Sequence, residues 1–146
     1  MNNMKIRQFK MDDEKQLVQI WNDCGLIVPW NNPHRDIQRK ARIQPELFLV
    51  GIYENRLVAS VMGGYDGHRG WVYYLSVHPD YQRKGFARQM MLEIEDRLHK
   101  IGCPKINLQV RNTNLKVIEF YKRIGYKLDD VVSFGKRLDT DIYGGQ

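Results

Sequence analysis

The sequence predicts an α/β (α+β) fold: a mixed central sheet of about six to seven strands flanked by about four helices. Three observations carry this. Two apolar runs flank Glu54-Asn55-Arg56 and read as a β-hairpin. Downstream, aromatic and β-branched runs alternate with helix-period runs, the order of crossover units in a partly parallel sheet. Glycine or proline stands at most of the junctions, where a chain reverses or a ladder stops.

The elements follow in order. Lys5 to Phe9 reads as a short strand. Asp12-Asp13 offers an N-cap, and Leu17, Val18, Ile20 and Trp21 share one helical face as far as Cys24-Gly25. Val28 to Pro33 is a loop in which Asn32 caps a second helix and Pro33 takes its first position, the helix running to about Ile43. Leu47 to Tyr53 and Leu57 to Gly63 form the hairpin strands, and Gly63 to Gly70 is a glycine-rich connection. Trp71 to Val77 is a strand that Pro79 ends, because proline cannot donate to a ladder. Ala87, Met90, Met91, Ile94, Leu98 and Ile101 repeat at helical spacing from Gly85 to Gly102. Lys105 to Arg111 alternates as a strand, Asn114 to Ile124 is a helix, and Val131 to Leu138 is a final strand.

A chain of 146 residues suits one domain, expected over residues 4–138 with 139–146 as a tail. No run approaches the roughly 20 apolar residues of a membrane span, so no membrane partner is expected. The polar N-terminal stretch lacks a signal-peptide pattern, and Cys24 and Cys103 make no disulfide framework. Together these predict a cytoplasmic setting. The net charge of +6 favours an anionic partner, either nucleic acid or a phosphorylated small molecule. The cations are scattered in short pairs such as Arg39-Lys40 and Arg83-Lys84, which disfavours nucleic acid. No spacing of His, Cys, Asp or Glu suggests a metal site.

Tyr81-Gln82-Arg83-Lys84-Gly85-Phe86-Ala87-Arg88 joins a strand to a long helix. A helix start leaves backbone N–H groups unpaired and partly positive, and a glycine there lets a bulky anion approach. A plain strand–helix turn asks for the same glycine, so the residues alone leave both readings open.

With its context, Val77-His78-Pro79-Asp80-Tyr81-Gln82-Arg83-Lys84-Gly85-Phe86-Ala87 resembles the acyl-CoA signature of the GNAT N-acetyltransferase superfamily. Asn114, seven residues before Tyr121 and followed by Gly125-Tyr126, resembles the same family's second block. Val28 to Asn31 and Gly63 to Gly70 are similar to the superfamily's YpeA-type branch. The resemblance covers roughly residues 4 to 138 and implies the GNAT fold. It also implies direct acetyl transfer from acetyl-CoA to an amine-bearing acceptor through a tetrahedral intermediate, with no metal. The backbone of Leu75, Ser76 and Val77 would pair with the cofactor's pantetheine arm. Gln82, Arg83, Lys84, Gly85, Phe86 and Ala87 would hold the pyrophosphate, with Ala87 standing where many members have glycine. Asn114 would bond the cofactor arm, cap a helix, or both. Tyr121 would act as general acid toward the departing thiolate, its alternative being an ordinary core tyrosine.

Many family members carry a glutamate base in the strand that is Trp71 to Val77 here, and this strand has no carboxylate. Asp66, His68 or His78 are candidates, and an amine that loses its proton to solvent needs none of them. Asp66 and His68 could instead contact the acceptor, together with Trp30, Asn31 and Tyr65. The missing carboxylate keeps a non-catalytic acyl-CoA-binding or sensing module as the alternative. Dimers are frequent in the superfamily, so a homodimer is among the partners it implies.

Overall fold

A computed structural model describes residues 3–143. They divide into two compact units, residues 3–107 with 141–143, and residues 108–140. The first unit holds most of a mixed five-stranded sheet in the order β1-β2-β3-β4-β5, with β1 Lys5–Gln8, β2 Phe48–Tyr53, β3 Arg56–Tyr65, β4 Gly70–Val77 and β5 Ile106–Leu108. The first four pair antiparallel in sequence order. Glu54 and Asn55 both take positive φ (51° and 63°), the geometry of a tight two-residue hairpin turn.

Helices cover both faces. The first, α1 (Glu14–Asp23), packs on β3 and β4 and against α2 (Pro33–Lys40). Leu17, Ile20, Trp21, Ile37, Phe48, Val50 and Met62 form the core on that side. On the other side α3 (Phe86–Lys100) lies across β2, β3 and β4 and buries Met90, Met91, Ile94 and Leu98. Gly63 makes that approach possible, since a Cβ there would sit 2.7 Å from Ile94 Cδ1. Gly63 and Gly64 are therefore strand residues, and the turn between β3 and β4 shrinks to residues 66–69. Asn32 caps α2 as its sequence promised, accepting from the N–H groups of His34 and Arg35 (3.0 and 3.3 Å). Asp13 stands at the N-cap of α1 but turns its carboxylate to Arg7 (2.8 and 2.9 Å) and the Lys10 N–H (2.9 Å).

The second unit contains α4 (Leu115–Arg123), capped by Asn114. Val131 to Leu138 is not the strand the sequence suggested. Val131, Val132, Phe134 and Leu138 are all exposed there, so neither face of the segment is buried as one face of a half-buried strand must be. The sheet accordingly has five strands rather than six or seven. Among the described residues, no helix is long and apolar enough to cross a membrane.

Candidate functional site

The site begins with an irregularity in β4. Ser60 pairs with Ser76 and Met62 with Tyr73, so Val61 faces two residues, Tyr74 and Leu75. This is a β-bulge. Tyr74 takes φ 53°, a left-handed conformation uncommon for an aromatic residue. Beyond the bulge, His78 N–H donates to Val58 O (2.7 Å). Backbone groups alternate along a strand, so Val77 N–H points to the opposite edge. Val77 O, on that same side, already accepts from Gln82 Nε2 (3.1 Å) and Cys24 Sγ (3.2 Å). Burial pushes the Cys24 thiol up, with the Val77 carbonyl bond opposing and Asp23 adding to the rise, so Cys24 stays a thiol rather than a thiolate nucleophile. β5 has three residues against the eight of β4, and the bond from Gly70 N–H to Lys105 O (2.8 Å) fixes it at the start of β4. It is too short to run alongside the second half of that strand.

Beyond β4 the chain makes a 3-10 turn over Pro79–Tyr81, capped by His78 Nδ1, which accepts from Asp80 N–H (3.0 Å). Arg83 (φ 64°) and Gly85 (φ 81°) are both left-handed. Gly85 is the N-cap residue of α3, and no side chain caps that helix. The helix's first bond runs from Gln89 N–H to Gly85 O (3.1 Å). The N–H groups of Phe86, Ala87 and Arg88 precede it and have no helical acceptor. They form a partly positive end, beside the exposed side chains of Arg83, Lys84 and Arg88. A Cβ on Gly85 would meet nothing within 4 Å. Phe86 anchors the junction: it is buried and packs on Tyr53 (5.0 Å between ring centroids). Arg56 braces Tyr81 through the hydroxyl (3.0 Å) and from above the ring (5.5 Å).

In the second unit, Asn114 Oδ1 accepts from Val117 N–H (3.3 Å), so its capping role is realised. Tyr121 lies on α4 with edge contacts to Phe120 (5.1 Å) and Tyr126 (5.6 Å). Burial pushes its phenol up to about 12.

Tyr65, Asp66 and His68 do not sit at the bulge end. Tyr65 ends β3 opposite Gly70, Asp66 and His68 belong to the turn that follows, and from Gly70 to Tyr74 β4 runs about 13 Å. Asp66 accepts from the N–H groups of His68 and Arg69 (both 2.8 Å). Those donors hold its carboxyl below the usual range, which suits a turn and works against a base. Tyr65 exchanges hydrogen bonds with the Gln44 amide and reaches Gly102 O (3.3 Å). Trp30 and Asn31 lie in the loop before α2. Asp36, one turn into α2, accepts from Tyr74 OH (2.6 Å), so α2 carries the loop before it toward the bulge. Tyr143 N–H bonds Pro29 O (3.0 Å) and Asp141 accepts from Asn32 N–H (3.4 Å), which ties that loop to the C-terminal residues.

Sequence reasoning missed Trp21, Ser60, Tyr74, Asp36 and Asp141. One signal was visible: Ser60 interrupts the apolar run Leu57 to Met62, and a buried serine needs a partner. Its partners depend on register across the sheet, which a single sequence does not print. Among the described residues, no cluster of three or more His, Cys, Asp or Glu side chains could hold a metal ion.

The family model "Acetyltransferase (GNAT) family" matches residues 14–126. An acetyltransferase of Yersinia pestis (strain Pestoides F) is 48% identical over 138 residues, covering 94% of this chain and 98% of the relative. Among solved structures, Ard1 from Thermoplasma volcanium superposes with a TM-score of 0.78 at 21% identity, over 86% of this chain and 84% of that one. A PaiA N-acetyltransferase from Thermoplasma acidophilum, in complex with coenzyme A, has a TM-score of 0.69 at 18% identity, over 89% and 93%.

Proposed function

The chain belongs to the acetyltransferase (GNAT) family and is an acetyl-CoA-dependent N-acetyltransferase, and from that premise we propose that it transfers the acetyl group directly to a primary amine of a small molecule or peptide. The observation that carries the placement of acetyl-CoA is the uncapped, glycine-started N-terminus of α3 directly after a bulged strand. The N–H groups of Phe86, Ala87 and Arg88 hold the pyrophosphate, with Arg83 and Lys84 adding positive potential. The pantetheine arm runs along the second half of β4, as an added strand pairs with an edge. The Thermoplasma acidophilum neighbour, solved in complex with coenzyme A, supports acetyl-CoA as the co-substrate.

In the transfer, an uncharged amine attacks the acetyl carbonyl and the C–S bond breaks. Val77 N–H, facing the side of β4 away from β3, donates to the developing oxyanion. The amine's surplus proton balances the departing thiolate. Tyr121 assists by hydrogen bonding to the sulfur. With a phenol at about 12 and a thiol near 8.5, complete proton transfer from tyrosine alone is uphill by about 5 kcal/mol. The phenol therefore stays protonated, stabilises the thiolate, and any proton it gives is replaced from the amine. No side chain of β4 is a carboxylate, so the amine loses its first proton to solvent.

The deciding experiment is calorimetric titration of acetyl-CoA at moderate salt, followed by a free-thiol assay across amines and peptides. Saturable one-to-one binding and thiol release with at least one amine are expected. Absence of binding removes the cofactor placement, and binding without thiol release from any amine removes the transfer. Tyr121→Phe should lower turnover and leave acetyl-CoA affinity intact; unaltered turnover takes Tyr121 out of the mechanism.

A further inference from the structure

The bulge in β4 is held by a buried polar network around Ser60. Ser60 and Trp21 have no exposed surface, and Ser76 has 4%. Trp21 Nε1–H donates to Ser60 Oγ (3.0 Å), Ser60 Oγ donates to Tyr74 O (2.7 Å), and Ser60 and Ser76 hydroxyls lie 2.7 Å apart. The proton count sets the directions. A carbonyl only accepts, so the single Ser60 proton goes to Tyr74 O, and Ser76 must donate to Ser60. Ser60 thus has one donor bond out and two acceptor bonds in, all buried. Tyr74 is gripped at two further places. Its ring stacks on Trp21 (3.8 Å between centroids, 12° between planes), and its hydroxyl donates to Asp36 (2.6 Å), which also pairs with Arg39 (2.6 Å).

Register explains what the grip achieves. Below the bulge, Tyr73 faces Met62. Continued without the extra residue, that register would bring Val77 opposite Val58, and its N–H would take the Val58 carbonyl. In the structure His78 makes that bond, and Val77 faces the other edge. A one-residue slip exchanges which backbone groups point to each side. The extra residue also leaves Tyr74 O without a place in the ladder, and the Ser60 hydroxyl supplies the missing donor.

We propose that Ser60 is a positioning residue for acetyl transfer: with Trp21 and Ser76 it fixes Tyr74 in the bulge and so aims Val77 N–H at the thioester carbonyl. This rests on the cofactor placement proposed above. Tyr74 itself is not the base, because its hydroxyl proton is already given to Asp36 and its titration is pushed far above the usual value, first by burial and then by Asp36.

The test reads the carbonyl directly and needs no acceptor. Acetyl-CoA carrying a 13C carbonyl is bound to the protein, and its thioester stretch is followed by infrared difference spectroscopy, with CoA affinity measured in parallel. Wild type should shift the stretch to lower wavenumber. Ser60→Ala should lose most of that shift with a much smaller loss of CoA affinity, because the bulge also orients the β4 groups that pair with the pantetheine arm but the pyrophosphate cradle lies elsewhere. Ser60→Thr, which keeps the hydroxyl, should restore it. Once an accepted amine is in hand, Ser60→Ala should lower kcat by about tenfold or more, part of the 10²–10³ that an oxyanion donor contributes, with little change in KM for acetyl-CoA. If Ser60→Ala does not fold, Ser60→Cys keeps the shape with a weaker donor and should give an intermediate shift. An undiminished shift in the folded variant overturns the proposal. So does equal loss of CoA affinity and shift, which would mark Ser60 as a general stabiliser. Failure of wild type to bind acetyl-CoA is a separate outcome that overturns the cofactor placement and this inference with it.

Discussion

The two ends of β4 carry similar residues and behave in opposite ways. Each end has a left-handed glycine, Gly67 (φ 94°) before the strand and Gly85 (φ 81°) after it, and each has flanking cations. At the first end the turn satisfies itself. Asp66 accepts from His68 and Arg69, its own N–H donates to Arg69 O (3.2 Å), and Tyr65 is bonded to Gln44 and Gly102. At the second end the helix starts uncapped, and three N–H groups stand ahead of its first bond. A segment that consumes its own donors is a turn, whereas one that leaves them ahead of a helix's first bond keeps donors for an anion.

A matched pair of substitutions gives the largest expected effect. Gly85→Asp and Gly67→Asp place the same residue at similar φ, and an added Cβ meets nothing within 4 Å at either position. Aspartate tolerates the left-handed region, so both should fold with similar modest destabilisation. Gly85→Asp sets a negative charge against the pyrophosphate and should weaken CoA binding by about 100-fold, or about 3 kcal/mol. Gly67→Asp should leave CoA affinity unchanged. Calorimetry on the two variants decides, and equal affinities would erase the distinction between the ends.

How much of this could be read from residues alone follows the same division. The helix caps were legible because they are local: Asn32 and Asn114 each sit at the start of a helix and bond the N–H groups just after themselves. The Gln82–Ala87 junction was legible as a strand–glycine–helix pattern. Asp66 and His68 could be put at the start of β4 from the sequence, but their distance from the reacting end could not, since that depends on where along the strand the bulge falls. The bulge was invisible for a related reason. It depends on Val61 meeting both Tyr74 and Leu75, and a residue's cross-strand partners are set by global register. The serine that stabilises it stands 14 residues from Tyr74 in the chain. Val131 to Leu138 misled because a strand pattern on one face, Val132, Phe134 and Leu138, does not say whether anything covers that face, and here all three are exposed.

A smaller effect separates the cations. Arg83→Ala and Lys84→Ala should each weaken CoA binding by about fivefold at low salt, near the 1 kcal/mol upper range for exposed charges. The loss should shrink as salt rises, because the screening length falls from about 10 Å at 0.1 M to about 3 Å at 1 M. Arg69→Ala, at the other end, should change neither the affinity nor its salt dependence. Titrations at two ionic strengths check all three.

The smallest effect belongs to Asp66. Asp66→Ala should leave CoA affinity and turnover unaltered and lower the melting temperature slightly, because the turn loses its acceptor. The pH dependence follows from the direction of the shift. The backbone donors at Arg69 and His68 hold the folded carboxyl below its ordinary value, so the unfolded chain binds the proton more readily. The stabilisation is then fully present above the unfolded pKa near 3.9. It is lost as pH falls through the lower folded value. Wild type and variant should therefore differ in melting temperature at neutral pH and converge in acid. A catalytic base would behave otherwise: removing it would abolish the acid limb of the kcat/KM profile rather than a pH-dependent part of stability. If Asp66→Ala changed that limb, the self-satisfied turn would after all reach the reacting amine, and the contrast between the two ends of β4 would fail at the end that looked closed.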